Sequence, residues 1–370
     1  VSRLFTPLTL RGTTFRNRAW LAPMCQYSAI DGVPGDWHLV HLGARASGGF
    51  GLVIAEATAV VPEGRITPQD TGIWDETQTQ AWSRIVRFVH ERGARAGIQL
   101  AHAGRKASTY RPWSPRRGTV PGADGGWATV GPSDVAFDGL DAPTALTTEA
   151  LADVVTAFAA AAERSLRAGF DVVEVHAAHG YLLHAFLSPL SNRRTDAYGG
   201  PLENRSRLLR EVVTAVRAVW PQDRPLFVRV SATDWTDGGL TPDEVTAVCA
   251  ELAGLGVDLV DVSSGGNVVA PVPVGPGYQV PLARRVRAGA GVPVAAVGLI
   301  TSAAQAESIL VDGAADAVLL GREALRDPMW PLRAAHELGV PVASLDLDAV
   351  PDDAVVPAPW QPQYERGAWA

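Results

Sequence analysis

The chain has 370 residues, 47% hydrophobic and 19% charged, with a formal net charge of -7. That length admits one large domain or two ordinary ones, and the apolar share supports a sizeable core rather than disorder. The acidic balance, without a run of like charges, excludes the basic stripe on which a nucleic-acid binder depends.

In chain order, residues 8–17 read as a hairpin around Arg11-Gly12-Thr13, placed to close the floor of a barrel. Apolar runs at 20–24 and 52–57 follow as strands. Asp75 with Gln78 predicts a capping box, and the stripe Trp82, Ile85, Val86 and Val89 predicts a helix closed by Gly93. After a strand at 96–101, residues 104–147 form a Gly-, Pro- and Trp-rich insertion, long enough to be a cap over the functional face. Leu151, Val154, Val155, Phe158 and Ala162 share a helix face that ends at Gly169, before a strand at 171–176. Pro201 is placed at the start of a helix carrying Leu209, Val212, Val213, Val216 and Val219. Strands at 226–231, 258–263, 294–297 and 317–321 complete the series, with Thr241-Pro242-Asp243-Glu244 opening the helix after the first of these. The tail at 351–370 is proline-rich and ends in Tyr364-Glu365-Arg366.

Most of these strand runs are continuously apolar, as in parallel strands buried on both faces. Eight strand–helix units without a composition break predict a single (β/α)8 TIM barrel spanning 1–370. Ala22 to Tyr27 lacks the glycine fingerprint of a doubly wound dinucleotide fold. Cys25 and Cys249 are too few for a disulfide framework, and Val1 to Arg11 carries no apolar signal core. No stretch approaches the roughly 18 apolar residues of a membrane span. The expectation is a soluble cytoplasmic protein.

Barrel chemistry sits past the C-terminal ends of the strands. There the sequence places Pro23, Met24, Cys25, Gln26 and Tyr27, then Ala57 and Thr58, then Gln99 and His102, then His176-Ala177-Ala178-His179-Gly180-Tyr181. Two imidazoles and a phenol can place donors on a carbonyl oxygen and a proton beside it. The same spacing also allows a strand-capping histidine with a packed Tyr181. A metal pair is the third reading; Glu174 is expected on the opposite face, and no His-x-His follows the first strand. Gly298 and Gly321-Arg322, after the seventh and eighth strands, suit a phosphate cradle or simply tight turns. Arg229, within a barrel strand, requires an anionic partner, either a carboxylate or a cofactor ring. Cys25 is either an inert buried thiol or a group that tunes a cofactor.

These stretches together resemble the old yellow enzyme family of FMN-dependent ene-reductases, in particular its bacterial thermophilic-like subclass. The likeness rests on Ala22-Pro23-Met24-Cys25-Gln26-Tyr27, Glu56-Ala57-Thr58, Gln99 to Lys106, His176 to Tyr181, Ser188 to Asp196, Tyr198-Gly199-Gly200, Glu203-Asn204-Arg205, Phe227 to Ser231, Gly321-Arg322 and Tyr364-Glu365-Arg366-Gly367. It implies FMN across the barrel mouth, with its phosphate on Gly298, Gly321 and Arg322 and its ring against Ala22, Pro23, Met24, Cys25, Ala57, Gln99 and Arg229. It implies further that Cys25 modulates the flavin potential and that His176 and His179 hold a substrate carbonyl. Tyr27 would close over the substrate while Tyr181 donates a proton. NADPH or NADH would supply hydride, and an activated alkene would accept it by ping-pong kinetics. The subclass also places a tail arginine, here Arg366, in the neighbouring subunit's site of a homodimer or homotetramer, and no metal is expected. The insertion at 104–147, with Tyr110, Trp113 and Trp127, is longer than in the most compact members and bears on substrate choice. Two other readings stand beside this one. A phosphate-binding barrel lyase or aldolase would have to use Lys106, the only lysine, and a non-catalytic flavin protein would have no use for Tyr181.

Overall fold

The computed structural model describes residues 2–343 and 358–369. Twelve strands occur among them: β1 (Leu8–Leu10), β2 (Thr13–Phe15), β3 (Ala19–Leu21), β4 (Leu52–Ala59), β5 (Arg95–Ala101), β6 (Val130–Gly131), β7 (Thr144–Ala145), β8 (Val172–Ala177), β9 (Leu226–Ser231), β10 (Leu259–Ser263), β11 (Val294–Ala296) and β12 (Ala317–Leu320). Eight of these, β3-β4-β5-β8-β9-β10-β11-β12, close into a parallel barrel in sequence order. Helical crossovers between neighbouring parallel strands produce that order. The expected TIM barrel is therefore the observed one.

Two strands differ in extent from the apolar runs. β3 stops at Leu21, two residues before Pro23, whose ring nitrogen cannot donate to a ladder. β4 runs on to Ala59, but its register against β5 slips between Ala55 and Ala57. That bulge re-aims Glu56 and carries Ala57 to the mouth.

The floor is closed as the hairpin predicts. β1 pairs antiparallel with β2, and Phe15 packs on Trp20 at 4.8 Å, which stacks on Phe227 at 5.8 Å. The capping boxes at Asp75 and Thr241 both form. Gly169 ends its helix at φ +98°, a left-handed conformation that suits glycine. One helix differs from expectation. Pro201 flanks a short turn, Leu202–Arg205, and the helix proper is Arg207–Val219. Arg205 holds that first turn in place through Gly200 O at 3.0 Å and Glu244 at 2.9 Å. The stripe from Leu209 to Val216 can then lie flat on the barrel.

Residues 104–147 form an ordered cap. Buried Arg105 donates to Val135 O and Ala136 O on one side and to Asn267 Oδ1 on the other. Trp127 Nε1 reaches Glu63 O at 2.8 Å, whereas Trp113 stays 60% exposed, meeting the edge of Tyr27 at 5.8 Å and the Arg111 guanidinium at 5.6 Å.

Of the tail, residues 351–357 lie outside the described part. Beyond them Trp360 N donates to Ala343 O, Trp369 stacks on His336, and Gln361 meets Arg92 at 3.3 Å. Arg92 O also accepts from Arg16, just after the hairpin, so the tail sits at the floor end. No helix of the described residues is long and apolar enough to cross a membrane.

Candidate active site at the barrel mouth

Alternation along a strand sends every second residue into the barrel. The lowest interior layer is apolar, with Trp20, Val172, Phe227 and Leu259 in one cluster. Two residues up each strand come Gln99, Glu174, Arg229 and Asp261, all buried. Two further up are His176, Ser231 and Ser263. Glu174 and His176 therefore share a face, because a spacing of two on a strand preserves direction. The expectation that Glu174 faces away is corrected on that ground.

The polar layer pairs internally. Gln99 Nε2 donates to Glu174 Oε1 at 2.7 Å, and Arg229 Nε meets Asp261 Oδ2 at 2.8 Å. Burial raises Glu174 to about 8, with Asp261 reinforcing and Arg229 opposing. Asp261 rises to about 6 for the same reason, held back by Arg229. The carboxylate partner that Arg229 requires is thus found on the next strand.

Above this layer the two histidines meet edge to face, with ring centroids 5.2 Å apart. His176 Nδ1 accepts from Ala178 N at 3.3 Å, which leaves the proton on Nε2. His179, in the left-handed region at φ +59°, sets Nε2 2.7 Å from Ser263 Oγ. Ser263 Oγ also lies 3.3 Å from Gln279 Oε1, to which it can donate, and Ser264 Oγ donates to that same oxygen at 2.6 Å. The Ser263 hydroxyl has one proton, so it donates to His179 or to Gln279, and the tautomer of His179 follows that choice. Burial, reinforced by Arg229, pushes both imidazoles well below their ordinary range. The pair is neutral at pH 7, each ring carrying one N–H.

Tyr181 flanks His176 at 5.0 Å and packs in a small cluster with Cys25, Tyr27, Ala57 and Ile66. Burial, with Cys25 and Asp70 adding to it, pushes its phenol up, so it enters the site protonated. The same cause keeps Cys25 a thiol and Tyr27 a phenol. Tyr27 sits at φ +50°, a conformation that costs a non-glycine residue about 1 kcal/mol or more. It is held there by its neighbours: Gln26 N donates to Glu56, which pairs with His38 at 2.9 Å.

On the other side of the mouth, Arg229, Ser263, Gln279, Gly298, Gly321 and Arg322 line one cavity of about 160 Å³. Gly298 has φ +118°, and a Cβ there would come within 2.9 Å of Gln279 Nε2. Gly298 does not stand at a helix start, however: Ser302 caps that helix, Ala303–Val311. Gly321 precedes a single turn, Arg322–Arg326. This donor set suits the group implied by the resemblance, with backbone and Arg322 at a phosphate end and Arg229 beneath a ring that gains negative charge.

A second cavity of about 350 Å³ lies under the cap, lined by Ile66, Lys106, Arg117, Phe137, Leu140 and Tyr181. Lys106 donates to both His179 O and Gly266 O at 2.8 Å, while burial lowers its amine to about 8. An amine held between two carbonyls is badly placed for a Schiff base, which weighs against the aldolase reading. Met24, Pro23 and Ala22 follow β3 directly at the mouth, next to Gly321. Arg366 is exposed at the floor end, away from its own site.

Sequence reasoning overlooked Ser263, Ser264, Gln279 and Asp261. The signal was Gly265-Gly266 after the sixth barrel strand, both at positive φ. A Cβ on Gly266 would come within 2.7 Å of His179 Cα, so these loops pack backbone to backbone and fix the histidines.

The model of the NADH:flavin oxidoreductase / NADH oxidase family matches residues 3–340. The chain is 50% identical over 342 residues to an NADPH dehydrogenase of Geobacillus thermodenitrificans, covering 92% of this chain and 95% of that one. It is 45% identical over 343 residues to an NADPH dehydrogenase of Halalkalibacterium halodurans, covering 92% and 96%. Among solved structures, morphinone reductase in complex with tetrahydroNAD superposes with TM-score 0.76 at 32% identity, covering 91% of each chain. The old yellow enzyme homologue from Zymomonas mobilis gives 0.75 at 28% identity, covering 97% of each.

Proposed function

The chain belongs to the NADH:flavin oxidoreductase / NADH oxidase family, the old yellow enzymes, and we propose that it is an ene-reductase that reduces activated carbon–carbon double bonds. It is an NAD(P)H-dependent oxidoreductase whose cofactor is FMN. When bound, FMN accepts hydride from the nicotinamide and delivers it to the β-carbon of an alkene conjugated to a carbonyl or nitro group. The residues of the chain do the rest.

The observation that carries this reading is the neutral histidine pair beside a protonated tyrosine. His176, through Nε2–H, and His179 bind the substrate oxygen, and their hold tightens as charge builds on it. Tyr181 delivers a proton to the neighbouring α-carbon. Tyr27 and the cap exclude water from above. Ala22, Pro23, Met24, Cys25, Ala57, Gln99 and Arg229 hold the ring, and Gly298, Gly321 and Arg322 the phosphate. Nicotinamide and alkene use the same face in turn, which makes the kinetics ping-pong. The test is an anaerobic absorbance trace. NADPH bleaches the yellow protein and 2-cyclohexen-1-one restores the colour. Bleaching without recovery would remove the alkene from this reading, and a protein that stays colourless with added FMN would remove the flavin.

We further propose that Arg366 completes the site of a neighbouring subunit in a cytoplasmic homodimer or homotetramer. Its exposure at the floor end of its own barrel supports a role outside its own site. R366A is expected to raise the KM for alkene or nicotinamide about tenfold, the worth of one charge-assisted hydrogen bond of roughly 1.5 kcal/mol. Truncation after Trp360 should do the same and shift the oligomer in sedimentation; unchanged KM and size would rule the contact out.

A further inference from the structure

Glu174 is fully buried, and the proposed mechanism gives it no role. Its Oε1 accepts from Gln99 at 2.7 Å, while its Oε2 is buried with no hydrogen-bond partner among the described residues. The adjacent cation, Arg229, is already paired with Asp261. The layer beneath the flavin site thus holds one guanidinium and two carboxyl groups.

The charged and titratable groups around Glu174 are few. Gln99 faces it from β5, Arg229 from β9 and Asp261 from β10, with His176 above it on its own strand. Beyond His176 stand His179, Lys106 and His184. The two site histidines are neutral, and Lys106 is turned to backbone carbonyls, so among the described residues no second cation stands beside Glu174. An ionised Glu174 would leave this layer with an uncompensated negative charge out of contact with water, which is costly.

We propose that Glu174 is a charge-balancing residue of the flavin site: it holds a proton beneath Arg229 or, where it is ionised, takes one from solvent, forming an O–H bond on the carboxylate, when reduction of the bound cofactor brings negative charge to the site. This rests on the flavin reading above. It also fixes Gln99, whose amide nitrogen is committed to Glu174 and whose oxygen is left to face the mouth.

The sign follows from the carboxyl's position. In this chain Glu174 sits at about 8. Negative charge nearby disfavours its ionised form and moves it higher. Below about pH 8 it is protonated before and after reduction, and only the cofactor takes up a proton. Above that pH, up to the raised value, reduction takes up one proton more.

Spectroelectrochemical titration of the FMN-loaded protein from about pH 6 to about pH 10 reads this directly. Each proton taken up per two electrons makes the reduction equilibrium tenfold less favourable per pH unit, about 30 mV. The wild type is expected to steepen from tenfold to a hundredfold per unit above about pH 8. E174Q, which keeps the shape and can still accept from Gln99, is expected to stay at tenfold throughout. A wild type without the break, or an E174Q that shares it, overturns the proposal. If E174Q does not fold, the wild-type slope alone decides. A protein that takes up no FMN instead overturns the flavin reading itself.

Discussion

Replacing Tyr181 by phenylalanine is expected to slow alkene reduction about a hundredfold while leaving bleaching by NADPH unchanged. The magnitude is the lower end of what a positioned general acid contributes. The asymmetry follows from the chemistry. Hydride leaves the nicotinamide without any proton transfer from the protein, whereas the alkene ends with a new C–H bond at its α-carbon. Tyr181 is the protonated group beside His176, and burial keeps it so across the working pH range. The loss stays short of complete because solvent reaches a half-buried side chain. Lys106, 5.3 Å from the Tyr181 ring centroid, also remains in the mutant, so the pocket keeps its shape. Stopped-flow absorbance separates the two half-reactions. Equal slowing of both would make Tyr181 a packing residue, and undiminished alkene reduction would assign the proton to another group.

Much of the barrel is legible because its signals are local. A β-branched run, a capping box such as Thr241 with Glu244, or a left-handed glycine such as Gly169 acts within a few residues of itself. The break at Ser206 is not local. It depends on Arg205 reaching Glu244, whose position is set by another helix. The site divides in the same way. His176, His179 and Tyr181 lie on one strand end and one loop, so their spacing already places them together. Arg229 signals a missing partner, but nothing in the sequence says that it is Asp261, because that pairing depends on the register of β9 against β10. Glu174 is expected on the opposite face although it lies two residues before His176 in the same strand, where alternation puts both on one side.

Ser263 shows how such long-range placement tunes chemistry. A neutral imidazole has one proton for two nitrogens, and without a partner either tautomer serves. The Ala178 amide selects Nε2–H on His176, and Ser263 ties the His179 tautomer to whether its own proton goes to His179 or to Gln279. Ser263→Ala should therefore weaken orientation rather than remove a donor, and its effect belongs below that of losing either ring.

Losing a ring is the larger step. H179A is expected to lower kcat/KM for 2-cyclohexen-1-one by about two to three orders of magnitude, the cost of one donor at a developing oxyanion. H179N, whose amide can still donate one N–H, should recover much of it. Both variants should bleach with NADPH near the wild-type rate, since no oxyanion forms in that half. The pH dependence makes a second, independent check. An exposed imidazole would gain its charge near pH 6.5. Burial beside Arg229 holds both histidines well below that, so the alkene step should show no histidine inflection between about pH 6 and pH 8. Charging either ring would add a third cation-sensitive group next to Arg229 and put a proton on a nitrogen that now accepts one. An inflection near pH 6.5 that disappears in H179A would mean that His179 works as an imidazolium, and the neutral pair would have to be abandoned.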